Sequence, residues 1–301
     1  MRTYTHSQRS PIALVREAIN LYKIHSRKLK GDAHEFINLM QRVEDRVCVA
    51  TGVTLANKAT LIIGSGQNLS EPTYFAIKNR VTAIDMDVIP TNNNPLVYLK
   101  MLRQNGAMRT AKTLGRKITG LDKALHQSLK RELHIATLPP FELKQMNAEA
   151  MTFTDNSFDF IYSFSVFEHL ANPSKVMDEM NRVLRPGGIG YISLHLYTCD
   201  CGCHDPRIWA NQDRAPYWAH LREKHADKVQ PNAYLNKLRI AEWKQLYQEK
   251  FGKVTFDYNP YHDERMEFLL KELAPIRQTN ELDAYTDEEL LNVNLIAIWK
   301  K

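Results

Sequence analysis

Two glycines and an acid mark the first place where this chain could do chemistry. The apolar run Leu61-Ile62-Ile63 stops at Gly64-Ser65-Gly66, and a second run, Val81 to Ile84, ends in Asp85. Short apolar runs that end in glycine read as buried parallel strands emptying into tight turns. Asp85 lies 19 residues after Gly66 (85 − 66), close to the roughly 20-residue offset of an acid that binds a ribose. The glycines let the backbone approach a ligand, and the carboxylate accepts hydrogen bonds from hydroxyls. The pattern points to a nucleotide-type cofactor.

A second concentration of reactive types is Cys199-Asp200-Cys201-Gly202-Cys203-His204. Thiols beside imidazole suggest zinc. The gaps of one residue differ, however, from the two to four residues that usually separate structural zinc ligands. We read them as reduced cysteines of a loop and assign no metal. Three of the four cysteines crowd into this segment, the other being Cys48, so they are not a disulfide framework.

These groups sit in an ordinary globular composition. The chain has 301 residues, 44% hydrophobic and 25% charged, with a formal net charge of +6. That length fits one large domain or one domain with additions. No apolar run reaches the roughly 18 residues of a membrane helix. The start, MRTYTHSQRSP, has no apolar core of a secretory signal. A cytoplasmic protein is expected. Much of the positive excess lies between Lys100 and Arg131, where nine Lys and Arg face only Asp122 as an acid. We read this as a solvated helical face, with an anionic substrate or RNA as the sharper reading. The stretch contains no Phe, Tyr or Trp, which argues against a base-stacking platform.

The elements that must position these residues follow from periodicity and caps. Residues 1–58 read as a helical extension of two amphipathic helices. One starts at Ser10-Pro11 and carries Ile12, Val15, Ile19 and Tyr22. The other starts at an apparent capping box, Asp32 to Glu35, and carries Phe36, Leu39, Met40, Val43 and Val47. The main domain is expected over 59–301. Its strands fall at about Thr60–Ile63, Val81–Asp85, Glu142–Met146, Phe158–Phe164, Ile189–Leu196, Val254–Tyr258 and Val293–Trp299. Helices are expected at Pro173–Leu184, Ile240–Phe251 and Asp263–Leu273, with a capping box at Thr286–Glu289. A helical insertion occupies about 90–140, with Gly106, Gly115 and Gly120 as breaks. A polar loop rich in His, Cys and Trp occupies about 197–235. Alternating strands and helices predict an α/β fold with a doubly wound, mostly parallel seven-stranded sheet. Ligands of such sheets bind beyond the C-terminal strand ends. Gly64, Asp85, Asn147 and Ser163 belong to that edge.

The stretch from Met146 to Ser193, MNAEAMTFTDNSFDFIYSFSVFEHLANPSKVMDEMNRVLRPGGIGYIS, resembles the class I S-adenosylmethionine-dependent methyltransferases of the type 11 domain group. The resembling pieces are the run from Asn147, the strand Phe158-Asp159-Phe160-Ile161, the segment Phe167-Glu168-His169-Leu170 and the turn Arg182 to Gly188. With Gly64-Ser65-Gly66 and Asp85, the resemblance spans about 59–196, interrupted by the insertion. It implies a Rossmann-like fold with an antiparallel last strand and S-adenosylmethionine as cofactor. Gly64, Ser65 and Gly66 would face the methionine part and Asp85 the ribose. Asn147 and Ala148 would flank the adenine, and Ser163 the methionine end. Three positions depart from the family. Ile62 stands where an acid is common, Asn68 replaces the third glycine, and Asn147 replaces an Asp.

On this reading Glu168 and His169 follow the fourth strand where a methyl acceptor should sit, and His169 is the candidate general base. His195, Tyr197, His204, Trp218 and His220 are candidate acceptor-pocket residues, although Trp218 could instead anchor the loop to the core. The expected activity is methyl transfer to a small-molecule or glycan-type acceptor. The alternatives are an RNA or protein methyltransferase using the basic insertion, or a cofactor-binding partner subunit without catalysis. A nicotinamide dehydrogenase fits less well, because the G-x-G-x-x-G pattern fails at Leu69. The sequence does not fix the oligomeric state.

Overall fold

A computed structural model describes residues 33–210 and 214–301. The first expected helix, with Ile12 to Tyr22, lies outside the described residues. Seven strands form one sheet: β1 (Ala59–Ile63), β2 (Arg80–Asp85), β3 (Glu142–Gln145), β4 (Phe158–Phe164), β5 (Leu184–His195), β6 (Val254–Pro260) and β7 (Asn292–Lys300), in the order β3-β2-β1-β4-β5-β7-β6. β1 is parallel to both β2 and β4, with Ile63 opposite Ile84 and Ser163, and β2 is parallel to β3. The last strand reverses: Leu196 N–H donates to Val293 O, and Gly187 N–H donates to Lys301 O. Residue numbers therefore run in opposite senses along β5 and β7, as antiparallel pairing requires. Among the described residues no helix is long and apolar enough to cross a membrane.

The chain divides into two compact units. The described residues of one are 33–163, 175–191 and 298–301; those of the other are 164–174, 192–210 and 214–297.

In the first unit, β1 is buried at Leu61, Ile62 and Ile63, as a central strand covered on both faces should be. The helix Pro173–Val183 turns Val176, Met177, Met180 and Val183 inward. The Arg182 guanidinium ties several turns together. It donates to both Glu179 oxygens at 2.8 Å, to Asp155 Oδ1 at 2.8 Å, and to the carbonyls of Met151 and Phe153 at 2.9 and 2.7 Å. Arg185 donates to Asp159 Oδ1 (2.7 Å), while Asp159 Oδ2 accepts from Ala59 N–H (2.8 Å). That chain of bonds locks the starts of β1 and β4 and accounts for the Phe158-Asp159 and Arg182 to Arg185 pieces of the motif. Gly190 is required by close approach, since a Cβ there would sit 2.0 Å from Trp299 Cζ2.

Several boundaries differ from the sequence reading. The helix expected from a capping box spans His34–Thr51 but has Ala33 at its N-cap without a side-chain cap; Ala33 N–H instead donates to Ser128 Oγ at 3.1 Å. Its buried face is Ile37, Met40, Val43 and Val47, with Phe36 and Leu39 only half-buried. The insertion is three helices, Pro95–Asn105, Ala107–Ile118 and Leu121–Glu132. It breaks at Gly106 and Gly120, both at positive φ, whereas Gly115 stays inside a helix. β5 starts at Leu184 rather than Ile189, because Gly187 and Gly188 pair with Lys301. The helix from Asp263 runs on to Arg277 and contains Pro275.

In the second unit the helices Ile240–Phe251 and Asp263–Arg277 pack around aromatic cores. Trp243 and Tyr247 are fully buried and meet the Phe167 ring at centroid distances of 6.4 Å. The Thr286 capping box forms as expected, with Glu289 N–H donating to Thr286 Oγ1 (3.2 Å) and Thr286 N–H to Glu289 Oε2 (3.1 Å). The polar loop contains the helix Pro206–Ala210 and 3₁₀ turns at Ala219–Leu221 and Glu223–Lys228.

Candidate active site

The first unit builds a tight turn at the ends of β1 and β2. Gly64 has φ +79° and Gly66 φ +65°, a left-handed conformation that side chains with a Cβ resist. Gly64 N–H donates to Ile84 O at 2.9 Å and Ser65 N–H to the same oxygen at 3.3 Å. These bonds tie the turn to the residue before Asp85. Asp85 is half-buried, and its Oδ1 accepts from Asp87 N–H at 2.8 Å. Where a Cβ on Gly66 would project, only Asn68 Oδ1 comes near, at 3.6 Å. Ser65 is fully buried and its Oγ has no hydrogen-bond partner. A left-handed glycine turn, a strand-end carboxylate and an orphaned hydroxyl together fit a nucleotide-type cofactor.

The departures from the family pattern have a local explanation. Asn68, in place of a third glycine, accepts from Ser70 Oγ at 3.2 Å, and the next residue, Leu69, takes the left-handed turn at φ +58°. The helix Ser70–Ala76 starts there. The insertion also braces the loop. Arg116 donates to Gln67 O at 2.9 Å, and Thr113 Oγ1 to Gln67 Oε1 at 3.2 Å. Beside it lies a cleft of about 950 Å³ that Lys100, Lys117, Lys123 and Lys130 help to line. Asn147 is exposed, with its Oδ1 accepting from Glu149 N–H at 3.0 Å, and Ala148 is buried. Ser163 is buried and donates to Ile63 O at 3.0 Å, so its hydroxyl fastens β4 to β1.

The second unit holds the other expected residues. Phe167–His169 is a 3₁₀ turn clamped by Asn236, whose Nδ2 donates to Phe167 O (2.7 Å) and Leu170 O (3.1 Å). Glu168 is 2% exposed with neither oxygen hydrogen-bonded by a side chain. Burial pushes its carboxyl up, opposed by His169 and His195. His169 Nδ1–H donates to Tyr234 O at 2.8 Å. That bond leaves Nε2 with the lone pair, 4.0 Å from Glu168 Oε1. A buried carboxyl beside an imidazole of fixed tautomer can support proton removal.

His204 joins this group, its ring 4.8 Å from that of His169 and its Nε2 2.8 Å from His195 Nδ1. Burial holds His204 neutral, aided by the neighbouring histidines. His220 donates from Nε2 to Tyr197 O at 2.7 Å, and burial pushes it down to about 4. The Tyr197 hydroxyl is pushed up to about 12, mainly by burial. Trp218 is fully buried among Leu269, Leu273, Leu282 and Leu290, so it anchors the loop.

Sequence reasoning missed how Cys199 and Cys201 meet His195, and it missed Tyr261, Asn236 and the buried Asp200. Asp200 accepts from Arg214 (2.9 Å), Arg265 (2.8 Å) and Trp218 N–H (3.3 Å). Only the density of Cys and His types between 195 and 204 could have signalled the cluster.

Residues 104–192 match a family model described as a methyltransferase domain. An uncharacterized methyltransferase of Mycolicibacterium vanbaalenii is 35% identical over 79 residues, 25% of this chain and 31% of that protein. One of Mycobacteroides abscessus is 27% identical over 115 residues, 38% of this chain and 44% of that protein. The chain is similar to methyltransferases over residues 104–192. It spans less than half the length of either relative, and the matched family segment begins after Gly64, Gly66 and Asp85. Among solved structures, phosphoethanolamine N-methyltransferase 2 of Haemonchus contortus aligns over 86% of this chain and 52% of its own at 14% identity, with a TM-score of 0.45. A methyltransferase from Methanosarcina mazei aligns over 84% and 96% at 15% identity, also with a TM-score of 0.45. The glycine turn and Asp85 lie in the part of the chain that precedes the family match.

Proposed function

We propose that the protein is an S-adenosylmethionine-dependent methyltransferase acting on a small-molecule or glycan-type acceptor. One observation carries this reading: the left-handed Gly64–Gly66 turn, bonded to Ile84 O beside Asp85, in a chain whose residues 104–192 match a methyltransferase-domain model. Gly64, Ser65, Gly66 and Asp85 would hold the methionine and ribose parts of the cofactor, and Asn147 and Ala148 the adenine. The cofactor supplies an electrophilic methyl group when bound.

The chain's own residues supply position and proton removal. Asp85 offers a carboxylate to hydroxyls. His169 Nε2 takes the acceptor proton, its tautomer set by the Nδ1–H bond to Tyr234 O. Much of the rate of a displacement of this type comes from alignment. His169→Ala should therefore lower kcat by about 10²–10⁴-fold if His169 is the base, with cofactor affinity unchanged. A variant within threefold of wild type would remove that role. Labelled-methyl transfer into a cell extract, fractionated into RNA, protein, glycan and small molecules, identifies the acceptor.

A second reading has its own observation, the lysines Lys100, Lys117, Lys123 and Lys130 along the cleft. These suit an anionic acceptor such as RNA. Affinity for RNA that falls steeply with salt would support it, and salt-independent or undetectable binding would remove it. Cofactor binding with no label transferred to any fraction would instead mark a non-catalytic partner subunit.

A further inference from the structure

The cluster that the sequence reading left without a metal has the geometry of a metal site. We propose that His195, Cys199 and Cys201 bind one zinc-type divalent cation, leaving a fourth coordination position open to a water or to a heteroatom of the acceptor.

The three ligand atoms form a tight triangle. His195 Nε2 is 3.2 Å from Cys199 Sγ and 3.2 Å from Cys201 Sγ, and the two sulfurs are 3.6 Å apart. Tetrahedral zinc, with bonds of about 2.3 Å to sulfur and about 2.0–2.1 Å to nitrogen, separates its ligand atoms by roughly 3.5–3.8 Å. The triangle already lies within a few tenths of an ångström of that size. The set of two thiolates and one imidazole is one that suits zinc over harder cations.

Charge accounting favours the same ion. Both thiols lose their protons to solvent as two metal–sulfur bonds form, and neutral His195 donates its Nε2 lone pair. Two thiolates then cancel the 2+ charge in a place where Cys199 is 0% and Cys201 7% exposed. Isolated thiolates buried there would be costly.

The surroundings hold the ligands in this arrangement. A metal on His195 Nε2 requires the ring proton on Nδ1, and His204 Nε2 lies 2.8 Å away to accept it. The Tyr261 hydroxyl is 3.3 Å from Cys201 Sγ and can donate to it. Asp200, between the two cysteines, is fixed by Arg214 and Arg265. The loop folds back through Gly202 N–H to Cys199 O (2.9 Å) and His204 N–H to Cys201 O (3.1 Å). It needs Gly202, where a Cβ would stand 2.2 Å from Tyr197 O. This fold-back lets a gap of one residue present both sulfurs to one point.

The test uses the full chain, stripped with a chelator and reloaded with zinc or cobalt(II). Elemental analysis should find one metal per chain, and the cobalt form should show thiolate-to-cobalt charge-transfer absorption. Cys199→Ser and Cys201→Ser should each lower occupancy below about a tenth at equal metal concentration, whereas Cys203→Ser should retain it. His204→Ala should weaken binding about 10–100-fold. Should the serine variants fail to fold, wild-type thiols decide: chelation should expose two more cysteines to a thiol reagent. Absence of stoichiometric metal would overturn the proposal, as would metal retained in the double serine variant. A Cys199–Cys201 disulfide whose reduction restores no metal binding would do the same. None of these readouts involves S-adenosylmethionine, so failure here is separate from failure of the methyltransferase reading.

Discussion

The two candidate centres of this protein are built in opposite ways. The glycine turn is continuous in sequence: Gly64 and Gly66 leave one strand, and Asp85 ends the strand hydrogen-bonded beside it. Its working parts are backbone conformation and one carboxylate. The His–Cys cluster is assembled from separate segments, with Glu168 and His169 from one turn, His195 from a strand end, Cys199 and Cys201 from a folded loop, and Tyr261 from beyond β6. Its working parts are side chains held by other side chains. A centre of the first kind depends on strand pairing and φ angles. One of the second kind depends on the packing of everything around it.

The largest test of that contrast is Trp243→Ala. Trp243 is 1% exposed and packs on Phe167 and Tyr247, under the turn that carries Glu168 and His169. Its removal should cost about 3–5 kcal/mol in denaturant unfolding and lower turnover, while cofactor affinity stays within about threefold. An equal loss of cofactor affinity would break the distinction between the two centres.

The next effect is one of pH. His220 is held down to about 4 by burial, against an ordinary 6.5. It faces Cys201, His195 and Lys237 and donates to Tyr197 O. Because the unfolded chain binds the proton more readily, stability is full above pH 6.5 and falls as pH drops toward 4. The loss reaches up to about 3 kcal/mol. Urea midpoints at pH 7 and pH 4.5 should differ accordingly, and His220→Gln should flatten the difference. An unchanged slope in that variant would contradict the assignment.

Much of the first centre was legible in the sequence because local signals wrote it. The apolar runs gave β1, β2 and β4, and the glycines together with Asp85 gave the turn. The Arg182 to Gly188 segment marked a helix end that the structure explains through Arg182 and Arg185. Where tertiary contacts override local preference, the reading slipped. Gly115 sits mid-helix, its carbonyl accepting from Thr119 N–H, and Pro186–Gly188 extends into β5 because Lys301 pairs with it. The second centre was legible only as a density of His and Cys. Spacing rules for metal ligands presume that ligands approach along regular elements, and here a loop folded around Gly202 brings the sulfurs together.

Two smaller effects sharpen the account of the glycine turn. Asp85→Ala should weaken S-adenosylmethionine binding by about 10–100-fold, the worth of a hydrogen bond to a charged group, while leaving the metal content of the protein unchanged. Gly64→Ala, at φ +79°, should cost about 1–2 kcal/mol of stability. Thermal unfolding measures it, and a stability equal to wild type would show that the turn is not held left-handed in solution.

The central claim is that the Gly64–Asp85 edge binds S-adenosylmethionine. Titration calorimetry of the full chain tests it most directly. The account predicts saturable binding of one S-adenosylmethionine per chain and no binding heat with NAD. Binding of NAD in its place, or no heat with S-adenosylmethionine, would contradict it.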